Sequence, residues 1–190
     1  MPRFDHFDLL APIYGHAVPV RQSEMMVELA ELPTAGSLLD VGGGTGRVSQ
    51  ALVGMASKIV IADLSLGMLR QAAGKNGLQR VCSASEALPF PPQSFARIIM
   101  VDALHHVFSQ EETARHLWRL LAPGGRIVIE EPDVRTFAVK LVALAEKLAL
   151  MRSHFLTPSK IASLFPYSNA SLKIVQSGWN VWVIVAKNDA

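Results

Sequence analysis

The stretch LLDVGGGTGR at residues 38–47 decides the fold, because it is an apolar run that ends in glycines where a helix is predicted to begin. Glycines permit positive φ and let a ligand approach the backbone closely, and the first turn of a helix offers unpaired N–H groups. A phosphate-binding P-loop needs Lys and then Ser or Thr after the last glycine, but Arg47 and Val48 stand there. A G-x-G-x-x-G dinucleotide fingerprint would need glycine or alanine in place of Arg47.

Two acids flank this glycine loop in the predicted sheet. Asp40 precedes Gly42, and an acid there repels a pyrophosphate but suits a ligand that carries an ammonium or sulfonium charge. Asp63 ends the second predicted strand, where a ribose diol binds in doubly wound sheets. Its carboxylate can accept hydrogen bonds from both hydroxyls of an unphosphorylated ribose, and Leu64 can cover one face of an adenine ring. The alternative role for Asp63 is a helix N-cap.

The composition is that of a globular domain. The chain has 190 residues, of which 50% are hydrophobic and 18% charged, and this balance excludes a disordered chain. The net charge of +2 gives little support to nucleic-acid binding. The single cysteine, Cys82, excludes an internal disulfide and, without a Cys/His cluster, indicates no zinc site. Residues 1–20 lack the apolar core of a signal peptide. We therefore expect residues 1–190 to form one soluble, cytoplasmic domain with no stable membrane insertion.

Short β-rich runs alternate with helical stretches along most of the chain. The stronger runs are near-continuously apolar, which is typical of parallel strands that helices cover on both faces, and the alternation predicts a doubly wound sheet. At the C-terminus, two strands separated only by Ser177 and Gly178 predict an antiparallel hairpin. We expect Trp118, Trp179 and Trp182 to pack in the core. The predicted strands are 37–41, 58–63, 79–83, 96–102, 125–131, 171–176 and 179–186, and the predicted helices are 47–55, 65–75, 109–121, 136–151 and 157–165.

Five motifs in order resemble those of class I S-adenosylmethionine-dependent methyltransferases. They are the loop at 40–47, Asp63, ALPFP at 87–91, ALHH at 103–106 and LAPGGR at 121–126. The sequence is most similar to the type 11 group, which includes ubiquinone and menaquinone biosynthesis methyltransferases, and FDLLAPIY at 7–14 resembles the N-terminal segment of that group. The resemblance implies a Rossmann-like seven-stranded sheet of order 3-2-1-4-5-7-6, with strand 7 antiparallel and helices on both faces.

The resemblance also implies the cofactor and the residues that hold it. S-Adenosylmethionine would be the methyl donor and S-adenosylhomocysteine the product. The glycine loop would hold the methionine moiety, Asp40 its amino group and Asp63 the ribose. Ala84 stands where the family carries its adenine-binding acid, so Ser83, Ser85 or a backbone N–H there would bind adenine instead. The candidate cofactor-binding residues are Asp40, Gly42, Gly43, Gly44, Gly46, Asp63, Leu64, Ser83, Ala84, Ser85, Asp102 and Tyr14, the last within a lid formed by residues 1–20.

The candidate catalytic residues follow the fourth predicted strand. His105 and His106 lie at the carboxyl end of the sheet, where ligands bind in open α/β folds, and either could act as a general base near neutral pH. The alternative is a histidine pair that packs a loop and lines the methionine pocket. Glu130, Glu131 and Asp133 end the fifth strand and could orient a cationic substrate, but we expect solvated carboxylates there. No spacing of His, Cys and carboxylates indicates a metal site.

The expected reaction is an in-line displacement at a sulfonium carbon, so the protein positions two partners and excludes water. We expect a small-molecule acceptor of the quinone or phenol type, because the sequence has no basic stripe or RNA-binding motif. A non-catalytic cofactor-binding module that acts in a complex is the main alternative, while Arg47 argues against an NAD-dependent oxidoreductase. Residues 136–165 are interpreted as a helical insertion on the substrate side. The apolar run at 179–185 could line a homodimer interface or the core of the sheet.

Overall fold

The computed structural model describes residues 23–135 and 153–189 of the chain. Within these residues, strands and helices alternate over most of the length. The strands are β1 (Ser37–Val41), β2 (Lys58–Asp63), β3 (Leu78–Cys82), β4 (Phe95–Val101), β5 (Leu121–Pro132), β6 (Ala170–Ser177) and β7 (Asn180–Lys187). The helices are α1 (Ser23–Leu29), α2 (Arg47–Ala51), α3 (Leu66–Gln71), α4 (Gln110–Leu120) and α5 (Pro158–Ser163), with 3₁₀ turns at Ala72–Gly74, Ser85–Ala87 and Leu104–His106.

The strands form one seven-stranded sheet in the order β3-β2-β1-β4-β5-β7-β6. Strands β1 to β5 pair in parallel, whereas β7 is antiparallel to both of its neighbours, β5 and β6. This result confirms the predicted Rossmann-like order and the antiparallel seventh strand. The direction of strand addition reverses between β1 and β4, and this switch point is where open α/β sheets bind their ligands.

The two faces of the sheet carry separate apolar clusters. Ile98 and Met100 of β4 pack on one face with Leu117 of α4, and Ile99 packs on the other face with Met26 of α1. Because both faces are covered by helices, the central strands carry apolar residues at consecutive positions, as at 98–101 of β4, rather than only at alternate ones. The covered sheet forms a packed platform for the loops at the carboxyl ends of β1, β2, β4 and β5.

Strand β5 begins earlier than the sequence predicts. Leu121 already pairs with Phe95, and the register then shifts before Arg97 pairs with Arg126. The glycines at 124–125, which lie at the predicted start of the strand, therefore lie within its irregular first part. Gly124 has a φ of 67°, a backbone conformation that favours glycine.

The C-terminal hairpin turns at Gly178 and Trp179, one residue later than predicted, because Ser177 still belongs to β6. Gly178 has a φ of 59°, which suits glycine at the first position of a two-residue turn. Trp179 lies at the tip and is 62% exposed, so the expectation that it packs in the core is wrong. Trp118 and Trp182 are buried as predicted.

Three of the predicted features fall in parts of the chain that the structure does not describe. They are the lid at residues 1–20, Tyr14 within it, and the helix at 136–151. The rest of the predicted insertion is present as α5 and the segment that leads into it from residue 153.

Candidate functional site

The glycine loop joins β1 to α2 at the switch point of the sheet. Gly42, Gly44 and Gly46 have φ angles of 69°, 54° and 70°, in the left-handed region that side chains disfavour. A Cβ on Gly43 would lie 2.6 Å from Cγ of Asp40, so this glycine is required by space rather than by φ. The loop thus presents bare backbone toward the carboxyl edge of the sheet, as the predicted ligand contact requires.

Asp63 lies at the end of β2 and is bonded directly to the glycine loop. Its Oδ2 accepts a hydrogen bond from the N–H of Gly44 at 2.8 Å, and its Oδ1 accepts one from the N–H of Ser65 at 2.8 Å. Asp63 and the glycine loop are therefore joined at the carboxyl edge of the sheet. The next residue, Leu64, is 66% exposed and is available to cover a planar ring beside Asp63. Ser65, not Asp63, caps α3, since Ser65 Oγ accepts the N–H of Met68.

Asp40 lies beneath the loop rather than on its surface. Its side chain is buried, with an exposed fraction of 1%, and its Oδ2 accepts a hydrogen bond from Ser49 Oγ at 2.6 Å. Burial raises the pKa of Asp40 to about 6, and the charge of Asp63 adds to that effect. Asp40 is therefore placed to support the loop and to act on a cationic ligand through its charge. Its predicted role at the amino group of the ligand stays a prediction.

The region predicted to hold adenine follows β3. The N–H of Ser83 donates to the carbonyl oxygen of Asp63 at 3.0 Å, which brings this region beside the acid that is predicted to bind ribose. The Ser83 hydroxyl donates to the carbonyl oxygens of Ala84 and Ala87, so it stabilises the 3₁₀ turn. The nearest acid in sequence, Glu86, accepts the N–H of Ser109 at 2.9 Å and is thus committed to the start of α4.

The loop after β4 is held by a carboxylate from β5. Glu131 Oε1 accepts the N–H groups of Ala103 and Leu104 at 3.1 and 2.8 Å, and its Oε2 lies 2.6 Å from Nδ1 of His105. Asp102, just before this loop, has a φ of 50°. This is an uncommon backbone conformation for a residue other than glycine, and such residues cluster at binding sites.

The three acids at the end of β5 are buried, which corrects the expectation of solvated carboxylates. Glu130, Glu131 and Asp133 are 3%, 2% and 1% exposed. The physical reason is that β5 lies between two strands, so that the loop after β4 covers this end of β5 on one side and β7 covers it on the other. Asn180 Nδ2 donates to Glu130 Oε1 at 2.5 Å, and Arg135 forms an ion pair with Asp133 at 2.7 Å.

Burial also sets the protonation of two groups at this end of the sheet. Burial and the charge of Asp102 together raise the pKa of Glu130 to about 7. Burial and the neighbouring His105 together lower the pKa of His106 to about 3. His106 is therefore neutral and weakly basic at neutral pH. The imidazole of His105 is 3% exposed and bonded to Glu131, so the geometry favours the loop-packing alternative for His105, and the general-base role of either histidine stays a prediction.

Sequence reasoning missed the contacts that join the loop after β4 to residues 153–155. Gln110 Nε2 donates to the carbonyl oxygens of Leu104 and His154 at 3.1 and 2.7 Å. Phe155 stacks on the ring of His105 with centroids 4.2 Å apart. No sequence spacing signals these contacts, because the partners are far apart in the chain. The buried position of Glu131 likewise depends on neighbours that only the folded sheet supplies.

Residues 23–135 and 153–189 contain neither a metal-binding cluster nor a membrane-spanning helix. Across these residues no group of three His, Cys, Asp or Glu side chains is arranged to hold a metal ion. No helix in the same part of the chain is long and apolar enough to cross a membrane.

A Rossmann-like sheet with a glycine loop after β1 and an acid at the end of β2 defines a binding site for a nucleoside-containing cofactor. Residues 39–129 match the family model described as Methyltransferase domain, of type 11. Residues 39–129, slightly under half of the chain, are therefore similar to class I S-adenosylmethionine-dependent methyltransferase domains, which confirms the resemblance read from the motifs. The family uses S-adenosylmethionine as the methyl donor.

Similar proteins agree with this assignment. A ubiquinone/menaquinone biosynthesis C-methyltransferase, UbiE of Hahella chejuensis, is 29% identical over 137 residues, which are 66% of this chain and 54% of that protein. The chain therefore spans about half of the length of this relative. The structure of YcgJ from Bacillus subtilis has a TM-score of 0.75 at 15% identity, covering 88% of this chain and 98% of that one. A structure of the complex between the Haloferax volcanii Trm112 methyltransferase activator and a methyltransferase has a TM-score of 0.77 at 14% identity. The match covers 98% of this chain and 99% of that one.

Proposed function

We propose that this protein transfers a methyl group from S-adenosylmethionine to a small-molecule acceptor, of which a quinone or phenol is the expected type. The observation that carries the proposal is the hydrogen bond between Gly44 and Asp63. It joins the loop that is predicted to hold the methionine moiety to the acid that is predicted to hold the ribose. The similarity to UbiE over 66% of this chain supports the acceptor class.

The residues present fit the cofactor. The glycines of the loop at 42–46 allow a ligand to approach the backbone closely. Asp63 offers a carboxylate to a diol, and the buried charge of Asp40 favours the ammonium and sulfonium groups. The cofactor supplies an activated methyl group. The protein needs to hold the acceptor in line with it and to exclude water.

The experiment has two stages. Isothermal titration measures binding of S-adenosylmethionine and S-adenosylhomocysteine, and binding of neither at millimolar concentration would contradict the proposal. Methyl-labelled S-adenosylmethionine is then incubated with hydroxyquinones, catechols and other phenols, and we expect labelled product together with S-adenosylhomocysteine. Asp63→Ala serves as the inactive control.

A second candidate is a non-catalytic cofactor-binding module that acts within a complex. Two observations favour it: Ala84 in place of the adenine-binding acid, and the similarity to a methyltransferase whose structure was solved with an activator. Binding of S-adenosylhomocysteine without methyl transfer to any tested acceptor would favour this candidate.

We further propose a cytoplasmic location and no direct role in nucleic-acid binding. The unpaired, exposed Cys82 supports the first, and the net charge of +2 supports the second. The run at 181–185 is buried within this chain, which favours the core of the sheet over a homodimer interface for these residues.

A further inference from the structure

Glu131 joins the loop after β4 to the end of β5 through contacts with three residues of that loop. A buried carboxylate that accepts two backbone N–H groups fixes the positions of both, because each bond is charge-assisted and shielded from water. Its remaining oxygen lies 2.6 Å from Nδ1 of His105. The loop at 103–105 is therefore held as one unit by Glu131.

One side of this unit contacts the glycine loop. The methyl group of Ala103 occupies the place of a side chain on Gly42, since a Cβ built there would lie 2.5 Å from Cβ of Ala103. Close packing of this kind transmits displacement, because protein interiors leave little free volume. A ligand that fixes the glycine loop therefore also fixes Ala103.

The other side of the unit contacts the segment at 153–155. The N–H of His154 donates to the carbonyl oxygen of His105 at 2.7 Å, and Phe155 stacks on the His105 ring at an interplanar angle of 15°. Ser153 Oγ lies 3.4 Å from Nδ1 of His106. This segment directly follows residues 136–152, which are predicted to lie on the substrate side.

We propose that Glu131, through its contacts with Ala103, Leu104 and His105, is a positioning residue that couples cofactor binding at the glycine loop to the order of residues 153–155. The inference rests on the proposed function, since it takes S-adenosylmethionine or its product as the ligand of the loop. It implies that the cofactor binds before the acceptor, because the bound cofactor prepares the segment next to the acceptor site. Such coupling between two sites amounts to about 5- to 150-fold in an equilibrium.

Hydrogen–deuterium exchange tests the proposal, with S-adenosylhomocysteine as the probe. In the wild type, saturation with this ligand is expected to slow exchange of the amides at 153–157 by about fivefold or more. In Glu131→Ala the ligand still binds, as checked by isothermal titration, but the slowing disappears. Glu131→Gln is expected to restore part of it, because its amide oxygen can accept the two N–H groups and its NH₂ can donate to His105.

Asp133→Asn is the matched control, since it changes a buried carboxylate two residues away, which is hydrogen-bonded to Arg135, to an amide. It is expected to keep the full slowing, which separates coupling from a general loss of stability. The proposal would be overturned if the ligand slows amide exchange in Glu131→Ala as much as in the wild type. It would also be overturned if the bound ligand does not slow amide exchange in the wild type.

Two further outcomes are decisive. If Glu131→Ala does not fold, wild-type slowing in Glu131→Gln overturns the proposal and reduced slowing supports it. If the wild type does not bind S-adenosylhomocysteine at all, the proposed function itself fails and this inference fails with it.

Discussion

The N–H of Gly44 and the carboxylate of Asp63 are hydrogen-bonded at 2.8 Å across the carboxyl edge of the sheet. This hydrogen bond ties the loop after β1 to the end of β2. Asp63 therefore shapes the loop, and its predicted role is to offer acceptor oxygens to a ribose as well.

Replacement of Asp63 should weaken cofactor binding severely. Asp63→Ala removes the bond to Gly44 and the predicted ribose contacts, and hydrogen bonds to a charged group contribute about 1.5–3 kcal/mol each. We expect the Kd for S-adenosylhomocysteine to rise about 100-fold or more, measured by isothermal titration. Asp63→Asn keeps one acceptor oxygen and should therefore raise the Kd less than Asp63→Ala does. Unchanged affinity in Asp63→Ala would remove the ribose assignment.

Gly43 should be intolerant of a side chain. A Cβ there would lie 2.6 Å from Cγ of Asp40 and 2.8 Å from Cγ2 of Ile61, so Gly43→Ala should lower the free energy of unfolding by about 1–3 kcal/mol. Urea unfolding measures the change. Gly74→Ala is the control, because no atom lies within 4 Å of its Cβ position, and it should change stability by less than about 0.5 kcal/mol. Equal effects of the two substitutions would be inconsistent with the packing described.

Glu130 should make the protein less stable as the pH rises toward neutrality. Its folded-state pKa of about 7 lies above the ordinary 4.5, so the folded protein binds this proton more tightly than the unfolded chain does. The stability from this group is complete below pH 4.5 and is lost as the pH rises through 7. Glu130→Gln keeps an acceptor for Asn180, and it should reduce the fall in unfolding free energy between about pH 5 and pH 8 by about 2–3 kcal/mol.

Urea unfolding at a series of pH values measures this effect. Asp133→Asn is the control, because the ion pair with Arg135 lowers the pKa of Asp133, and its contribution is therefore lost only as the pH falls below the ordinary range. If the unfolding free energy falls by the same amount from about pH 5 to pH 8 in Glu130→Gln and in the wild type, this pH dependence does not arise from Glu130.

Ala84→Asp should add the acid that the adenine-binding region lacks. One carboxylate that accepts a hydrogen bond from the N6 amino group contributes about 1.5–3 kcal/mol, or about 10- to 150-fold in affinity for S-adenosylhomocysteine. S-Inosylhomocysteine carries oxygen in place of that amino group, so its affinity should not rise. Isothermal titration of both ligands against Ala84→Asp, with Ala84→Asn as the uncharged control, measures the difference. An equal gain for both ligands would place adenine elsewhere.

Much of this fold was predictable from local sequence signals. Continuous apolar runs such as that of β4 arise only where both faces of a strand are covered, and the short gap before Trp179 allows only an antiparallel hairpin. The turn itself was misplaced by one residue, because the pairing of Ser177 with Asn180 is a property of the two strands together. Trp179 lies exposed at the tip for that reason.

The sequence by itself determined the sheet, the glycine loop and the acids at 40 and 63, because each depends on residues close together in the chain or on a strand–helix rhythm. Only the tertiary structure decided the environment of the acids at the end of β5. Glu131 is buried and bonded to Ala103, Leu104 and His105 because parallel strands bring their carboxyl ends to one edge. A sequence pattern shows which residue ends each strand, but burial and hydrogen bonding depend on the neighbours that long-range packing supplies.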